Sequence, residues 1–282
     1  MASAETLKTP MPRYENDLSH QYHVTLLKMA LQQVSSDDEL PTFEYEFEMS
    51  EGRAAMELMK GKLIDVYWLG ADLERERDLR AIPIPTTRGL IGFRQFIIQR
   101  NALVKFEKID NINDLSRYVA CQGTSWPDVR ILEASGLKVT ATPLLENLYR
   151  MLAAGRCDYL PRGYHDVEKE IQARQNVYPN LMSYHNILLH YPFAVYFFTN
   201  RQNEALALRI EQGLDKLVKS GQLLSHMQSN PLTKHIFPLT QKQPALFLSI
   251  ENPHMHKAPQ YSDHRYWFVP EDFGIAIPIS EK

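Results

Sequence analysis

The chain has 282 residues, with 44% hydrophobic and 23% charged residues; this suits a soluble globular protein long enough for two α/β lobes or one large domain. A net charge of −3 with scattered Lys and Arg excludes a nucleic-acid footprint. No stretch approaches the roughly 20 apolar residues of a membrane-spanning helix, and Met1–Lys8 lacks the basic and apolar regions of a signal peptide.

In chain order, Leu7–Met11 reads as a short extended start. Asp17 caps a helix to Val34, with Leu18, Tyr22, Leu26, Met29, Ala30 and Val34 at helical period. Phe43–Met49 alternates as a half-exposed strand. Gly52–Lys60 is a short helix stopped by Gly61, and Ile64–Leu69 is a strand ending at Gly70. Prolines keep Ala81–Pro85 extended. Phe93–Gln99 is a strand buried on both faces, carrying Arg94 at its start.

A second unit follows. A short turn at Ile112–Leu115 leads to strand Tyr118–Cys121, helix Pro127–Ser135, strand Lys138–Ala141, helix Leu144–Ala154, strand Cys157–Leu160 and a helix over Asp166–Arg174. Strand Phe193–Phe198 and helix Gln202–Lys219 complete the body. The alternation predicts an α/β fold with mostly parallel sheets. Residues 231–282, rich in Pro, His and aromatics, read as a tail packed on the body.

Catalytic signatures are missing: there is no G-x-S-x-G, H-E-x-x-H, G-x-x-x-x-G-K-[ST] or G-x-G-x-x-G. His254-Met-His256 with His264 has a zinc-like spacing but no supporting Cys or second pair, so neither metal nor cofactor is expected. The two cysteines, Cys121 and Cys157, read as buried small hydrophobes; a disulfide requires their strands to be neighbours.

Met59-Lys-Gly-Lys-Leu-Ile-Asp65-Val, Leu73-Glu-Arg-Glu-Arg77 and Leu152-Ala-Ala-Gly-Arg-Cys-Asp158, in this order of elements, resemble the bacterial extracytoplasmic solute-binding proteins of amino-acid ABC transporters (family 3). Gly123-x-x-Trp126-Pro127-Asp128 and Met151-Leu-x-x-Gly-Arg-x-Asp-Tyr-x-Pro161-Arg162-Gly163 further resemble a proteobacterial branch with no assigned ligand. The resemblance covers residues 5–230. It implies a two-lobed periplasmic-binding-protein type 2 fold with two hinge crossings: lobe 1 from 1–99 and 194–230, lobe 2 from 100–193, and a tail over 231–282. It also implies a periplasmic mature form without its signal peptide, a monomer working with a transporter permease or a sensor.

The same resemblance places Arg94 against a ligand carboxylate, with Thr124 and Ser125 offering hydroxyl and backbone N–H groups from a helix-initiating turn. Tyr14 falls under the ligand, and Trp68 and Gly70 at the cleft end of the first-lobe sheet. Trp126 reads either as a ligand cover or as lobe packing. Where the family carries an acid for the ligand amine, this chain has Gly163, with Arg162 beside it. A second cation would favour a dianion or a carboxylate without an amine, while Asp166 or Glu15 remain acids that could act from another angle. The expectation is therefore a binding protein for a small anionic solute, with no catalytic residue. An enzyme on the same fold, dehydratase-like, or a periplasmic sensor domain are the alternatives.

Overall fold

The structure is a computed structural model that describes residues 5–12, 15, 17–35, 40–256 and 260–276. Its elements, in order, are β1 (Thr6–Pro10), α1 (Leu18–Gln32), β2 (Thr42–Glu46), α2 (Glu51–Lys60), β3 (Val66–Gly70), α3 (Leu73–Asp78), β4 (Arg80–Ile82), β5 (Phe93–Gln99), α4 (Leu103–Phe106), α5 (Ile112–Leu115) and β6 (Val119–Gly123). There follow α6 (Asp128–Ala134), β7 (Lys138–Thr142), α7 (Leu145–Ala153), β8 (Tyr159–Gly163), α8 (Val167–Arg174), β9 (Leu181–His190), β10 (Val195–Thr199), α9 (Glu204–Lys219), α10 (Gln222–Ser229) and β11 (Leu246–Ser249).

Local chemistry explains several boundaries. The Asp17 carboxylate accepts from the backbone N–H groups of Ser19 and His20, starting α1. Gly61 ends α2 in the left-handed region at φ 62°, which a residue without Cβ reaches at little cost. The β5 strand is buried at all but its last residue, as a central strand must be.

The chain divides into two units. The first comprises Met1–Gly89, Ala194–His235 and His256–Trp267. It holds a parallel pair, β1-β2, and an antiparallel sheet in the order β3-β10-β4. Its core includes Tyr22, Leu26, Leu27, Ala30 and Leu31 of α1 and Ile210, Leu214 and Leu217 of α9. The two helices approach so closely that a Cβ on Gly213 would lie 2.0 Å from the Ala30 carbonyl oxygen; only glycine fits there.

The second unit comprises Leu90–Phe193, Ile236–Met255 and Phe268–Lys282. Its six strands run β11-β9-β5-β8-β6-β7. The β11-β9, β8-β6 and β6-β7 pairs are parallel, and β5 is antiparallel to both of its neighbours. One face buries Phe96, Phe106, Ile131, Leu132, Tyr159 and Tyr191. The other buries Ile97, Cys121, Leu148, Tyr149, Leu152, Cys157 and Leu160.

Three expectations change. Residues 90–99 group with the second unit, because β5 hydrogen-bonds to β8 and β9 rather than to a first-unit strand. The ten-residue β9 was absent from the sequence reading, since Ser183, His185 and Asn186 interrupt its apolar run. The tail belongs to both units, and its Leu246–Ser249 adds a strand beside β9. For Cys121 and Cys157, read above as buried small hydrophobes with a disulfide left open, the structure decides: they form a disulfide with Cα atoms 5.7 Å apart. Parallel pairing of Ala120 with Tyr159 carries their segments alongside each other, which is the neighbour relation the bond requires.

Candidate functional site

The sequence-predicted residues of the second unit converge at one end of its sheet. The parallel strands β6 and β8 end there, at Gly123 and Gly163. Antiparallel β5 begins there, and Arg94 lies opposite Gly163 in the ladder. β9 ends there, with Phe93 opposite His190. In open α/β sheets this edge, outside the carboxyl ends of the parallel strands, is where ligands sit.

Arg94 is 2% exposed, and its charge is already matched. Its Nη2 lies 2.5 Å from Oδ1 of Asp128, the first residue of α6. The same carboxylate oxygen accepts from the Tyr191 hydroxyl at 2.5 Å. Burial pushes the Tyr191 phenol well up, and the Arg94 charge pulls the other way, so the group stays protonated and donates. The guanidinium also faces the rings of Tyr191 and Phe193, 5.3 and 5.4 Å from their centroids. Arg94 is thus held by a carboxylate, but by one the protein supplies.

The turn expected to assist it is also occupied. The Thr124 N–H donates to the Thr142 carbonyl and the Trp126 N–H to the Gly123 carbonyl. The helix begins at Asp128 with Pro127 as its cap residue, so Ser125 lies two positions before the cap rather than at it. Thr124 and Ser125 are exposed, and no bound anion is needed to satisfy the two N–H groups just named.

Arg162 is likewise engaged. It donates from Nε and Nη2 to the two carboxylate oxygens of Glu170, at 2.8 and 2.6 Å, and its Nη2 lies 3.7 Å from Asp166. Tyr149 donates its hydroxyl to Glu170 as well. The guanidinium lies over Trp126 at 4.8 Å, and the Trp126 ring in turn lies against Gly123, where a Cβ would come within 2.5 Å of it. Trp126 therefore packs on its own unit. Gly163 is open for a specific neighbour: a Cβ there would lie 2.8 Å from the Asp166 carboxylate and 2.6 Å from Ile91. Asp166 stands where a side chain at 163 would reach.

Two residues missed in the sequence complete this end. His165 is buried, its Nε2 3.5 Å from Asp166 and its Nδ1 without a partner. Burial lowers its pKa below the usual histidine value against the opposing pull of Asp166, with Arg94 and Arg162 adding to the lowering. Gln122 donates to the Pro161 carbonyl at 3.4 Å, while its Oε1 is buried and unpartnered. Arg94 Nε is a third such atom. Unsatisfied buried polar atoms cost about 1–3 kcal/mol each; such atoms also lie elsewhere among the described residues, and these three share one strand end. The position of Gln122 beside the Gly123 turn was the one signal available in sequence.

In the first unit, Trp68 is buried, stacked on His23 at 4.8 Å and 4°, with His20 edge-on at 5.3 Å. Packing within its unit accounts for it. The Gly70 carbonyl accepts from Arg75 Nη1 at 2.7 Å, and the residue pairs with Val195. Tyr14 lies outside the described residues, and Glu15 is exposed. Among the described residues no group of three or more His, Cys, Asp or Glu is arranged to hold a metal ion, and no helix is long and apolar enough to cross a membrane.

Among solved structures, the chain is similar to an ancestral arginine-binding protein bound to arginine, with a TM-score of 0.58 and 14% identity over 80% of this chain and 98% of the other. This is the periplasmic-binding-protein type 2 fold. The same fold appears in a histidine kinase sensor domain with similarity to periplasmic binding proteins (TM-score 0.57, 18% identity, 81% and 96% covered). A Salmonella typhimurium periplasmic binding protein of high arginine specificity shares it too (TM-score 0.55, 15% identity, 80% and 98% covered). No protein-family model and no curated protein matches the chain in sequence. The periplasmic-binding-protein fold of these neighbours is matched nearly whole, while about a fifth of this chain has no counterpart in them.

Proposed function

We propose that this protein is a solute-binding protein that holds a small polar molecule at the β6–β8 end of its second unit and acts by binding rather than turnover. The observation that carries this reading is that Arg94, Gln122 and His165, whose Nε, Oε1 and Nδ1 atoms are buried and unpartnered, stand at the same end of the sheet, the edge where open α/β sheets take ligands. The periplasmic-binding-protein fold supports it, because the similar structures named above are binding proteins and a sensor domain. The expected anionic ligand loses its main support, since both arginines that favoured it are ion-paired within the chain. An extracytoplasmic location agrees with the Cys121–Cys157 disulfide, which persists in oxidising compartments. A monomer working with a permease or a sensor partner fits the same reading.

The test is a thermal-shift screen against amino acids, amines, dicarboxylates and aromatic acids, followed by calorimetry on any hit and repeated with Gln122→Leu. A hit whose affinity falls at least tenfold in Gln122→Leu supports the site. A hit bound equally by both proteins places the ligand elsewhere, and mass-spectrometric turnover of a bound ligand favours the enzyme reading.

A further inference from the structure

Two arginines and three carboxylates meet at this end of the sheet: Arg94 and Arg162 against Asp128, Asp166 and Glu170. His165 adds no positive charge at neutral pH, because burial keeps its ring neutral. The local balance is one negative charge, the reverse of what two arginines suggest in sequence. The geometry of the Arg94 pair is as informative as the count. Asp128 brings one oxygen to 2.5 Å from Nη2, and both side chains are nearly enclosed, at 3% and 5% exposure. Tyr191 holds that oxygen from a second direction. A carboxylate ligand would have to displace Asp128 and leave it buried without its counter-ion, which is strongly unfavourable.

Resting on the site proposed above, we infer that Asp128 determines specificity: it reserves Arg94 as an internal ion pair, so the site discriminates against free carboxylates and accepts a neutral or cationic group at this position. The unpartnered Gln122 Oε1 and His165 Nδ1 fit this, since the first accepts hydrogen bonds and the second, in a neutral ring, can accept them too. Neither requires an anion. Arg94 is accordingly a latent anion grip, and removing the charge at 128 should open it.

The experiment uses acetate as a probe, so it needs no knowledge of the natural solute. The Arg94 Nε–H resonance is followed by nitrogen-15 NMR in the wild type and in Asp128→Asn during acetate titration, with chloride at equal ionic strength as the control. The expected result is no acetate-specific shift in the wild type and a saturable shift in Asp128→Asn, at least tenfold tighter. A wild-type response equal to that of the variant overturns the proposal, because Arg94 is then accessible to anions as it stands. No response in either protein also overturns it, because Arg94 is then no anion site even when unpaired. Should Asp128→Asn fail to fold, Tyr191→Phe is used. Because that variant keeps the Asp128 charge on Arg94, it should stay silent to acetate like the wild type, while Asp128→Ser, which removes the charge, should give the saturable shift. A response in Tyr191→Phe, or none in Asp128→Ser, counts against the inference. Failure of the solute screen refutes the proposed function without altering either acetate outcome.

Discussion

Removing the Cys121–Cys157 bond tests the structure most directly. The two residues are 36 positions apart, and closing a loop of that length in the unfolded chain is worth about 4 kcal/mol in the chain-entropy treatment. Both sulfurs lie in the cluster of Ile97, Leu148, Leu152 and Leu160. Reduced thiols would keep that packing, so the loss on reduction falls on the unfolded state. At 2–4 °C per kcal/mol for a unit of this size, the melting temperature should drop by about 10 °C. The assay compares oxidised protein with protein unfolded, reduced and refolded under reductant, each by calorimetry, with alkylation mass spectrometry to count thiols. Two free thiols in non-reduced denatured protein, or melting temperatures within about 2 °C of each other, would refute the reasoning.

Two further outcomes are expected. Glu170→Gln removes the charge that receives both Arg162 donors at an 11% and 15% exposed pair and should cost about 3 kcal/mol in urea denaturation; replacing both residues together by Met and Leu should recover part of it, and a single variant at wild-type stability would contradict the pair. Burial between Phe93 and Phe247 lowers the His190 pKa from 6.5 to about 4. Its folded value is depressed, so its contribution is fully present above the unfolded value and is lost as pH falls from about 6.5 to about 4, by up to about 3 kcal/mol. His190→Gln should flatten stability across that window, and an unchanged pH profile would count against it.

The pattern of apolar residues and stop signals was enough to place most helices and strands. The helix after Asp17 and the Gly61 stop follow from hydrogen-bonding and backbone rules that act within a few residues. The strand Phe93–Gln99 was legible because a strand covered on both faces is apolar throughout. The two-lobed resemblance followed from element order and short motifs, and the fold bears it out. What lay beyond reach was pairing across distance. Nothing local in Ser183–Asn186 reveals that β9 is held between β5 and β11, so neither the strand nor the true membership of β5 was visible. Arg94 could be named as an interior arginine, but which carboxylate it meets depends on α6 starting at Asp128 beside Tyr191, residues 34 and 97 positions away in the chain. Charge is a property of residue type and is readable in sequence. Whether a charge is free to hold a ligand depends on its neighbours in space, and here the tertiary structure had already supplied both arginines with partners.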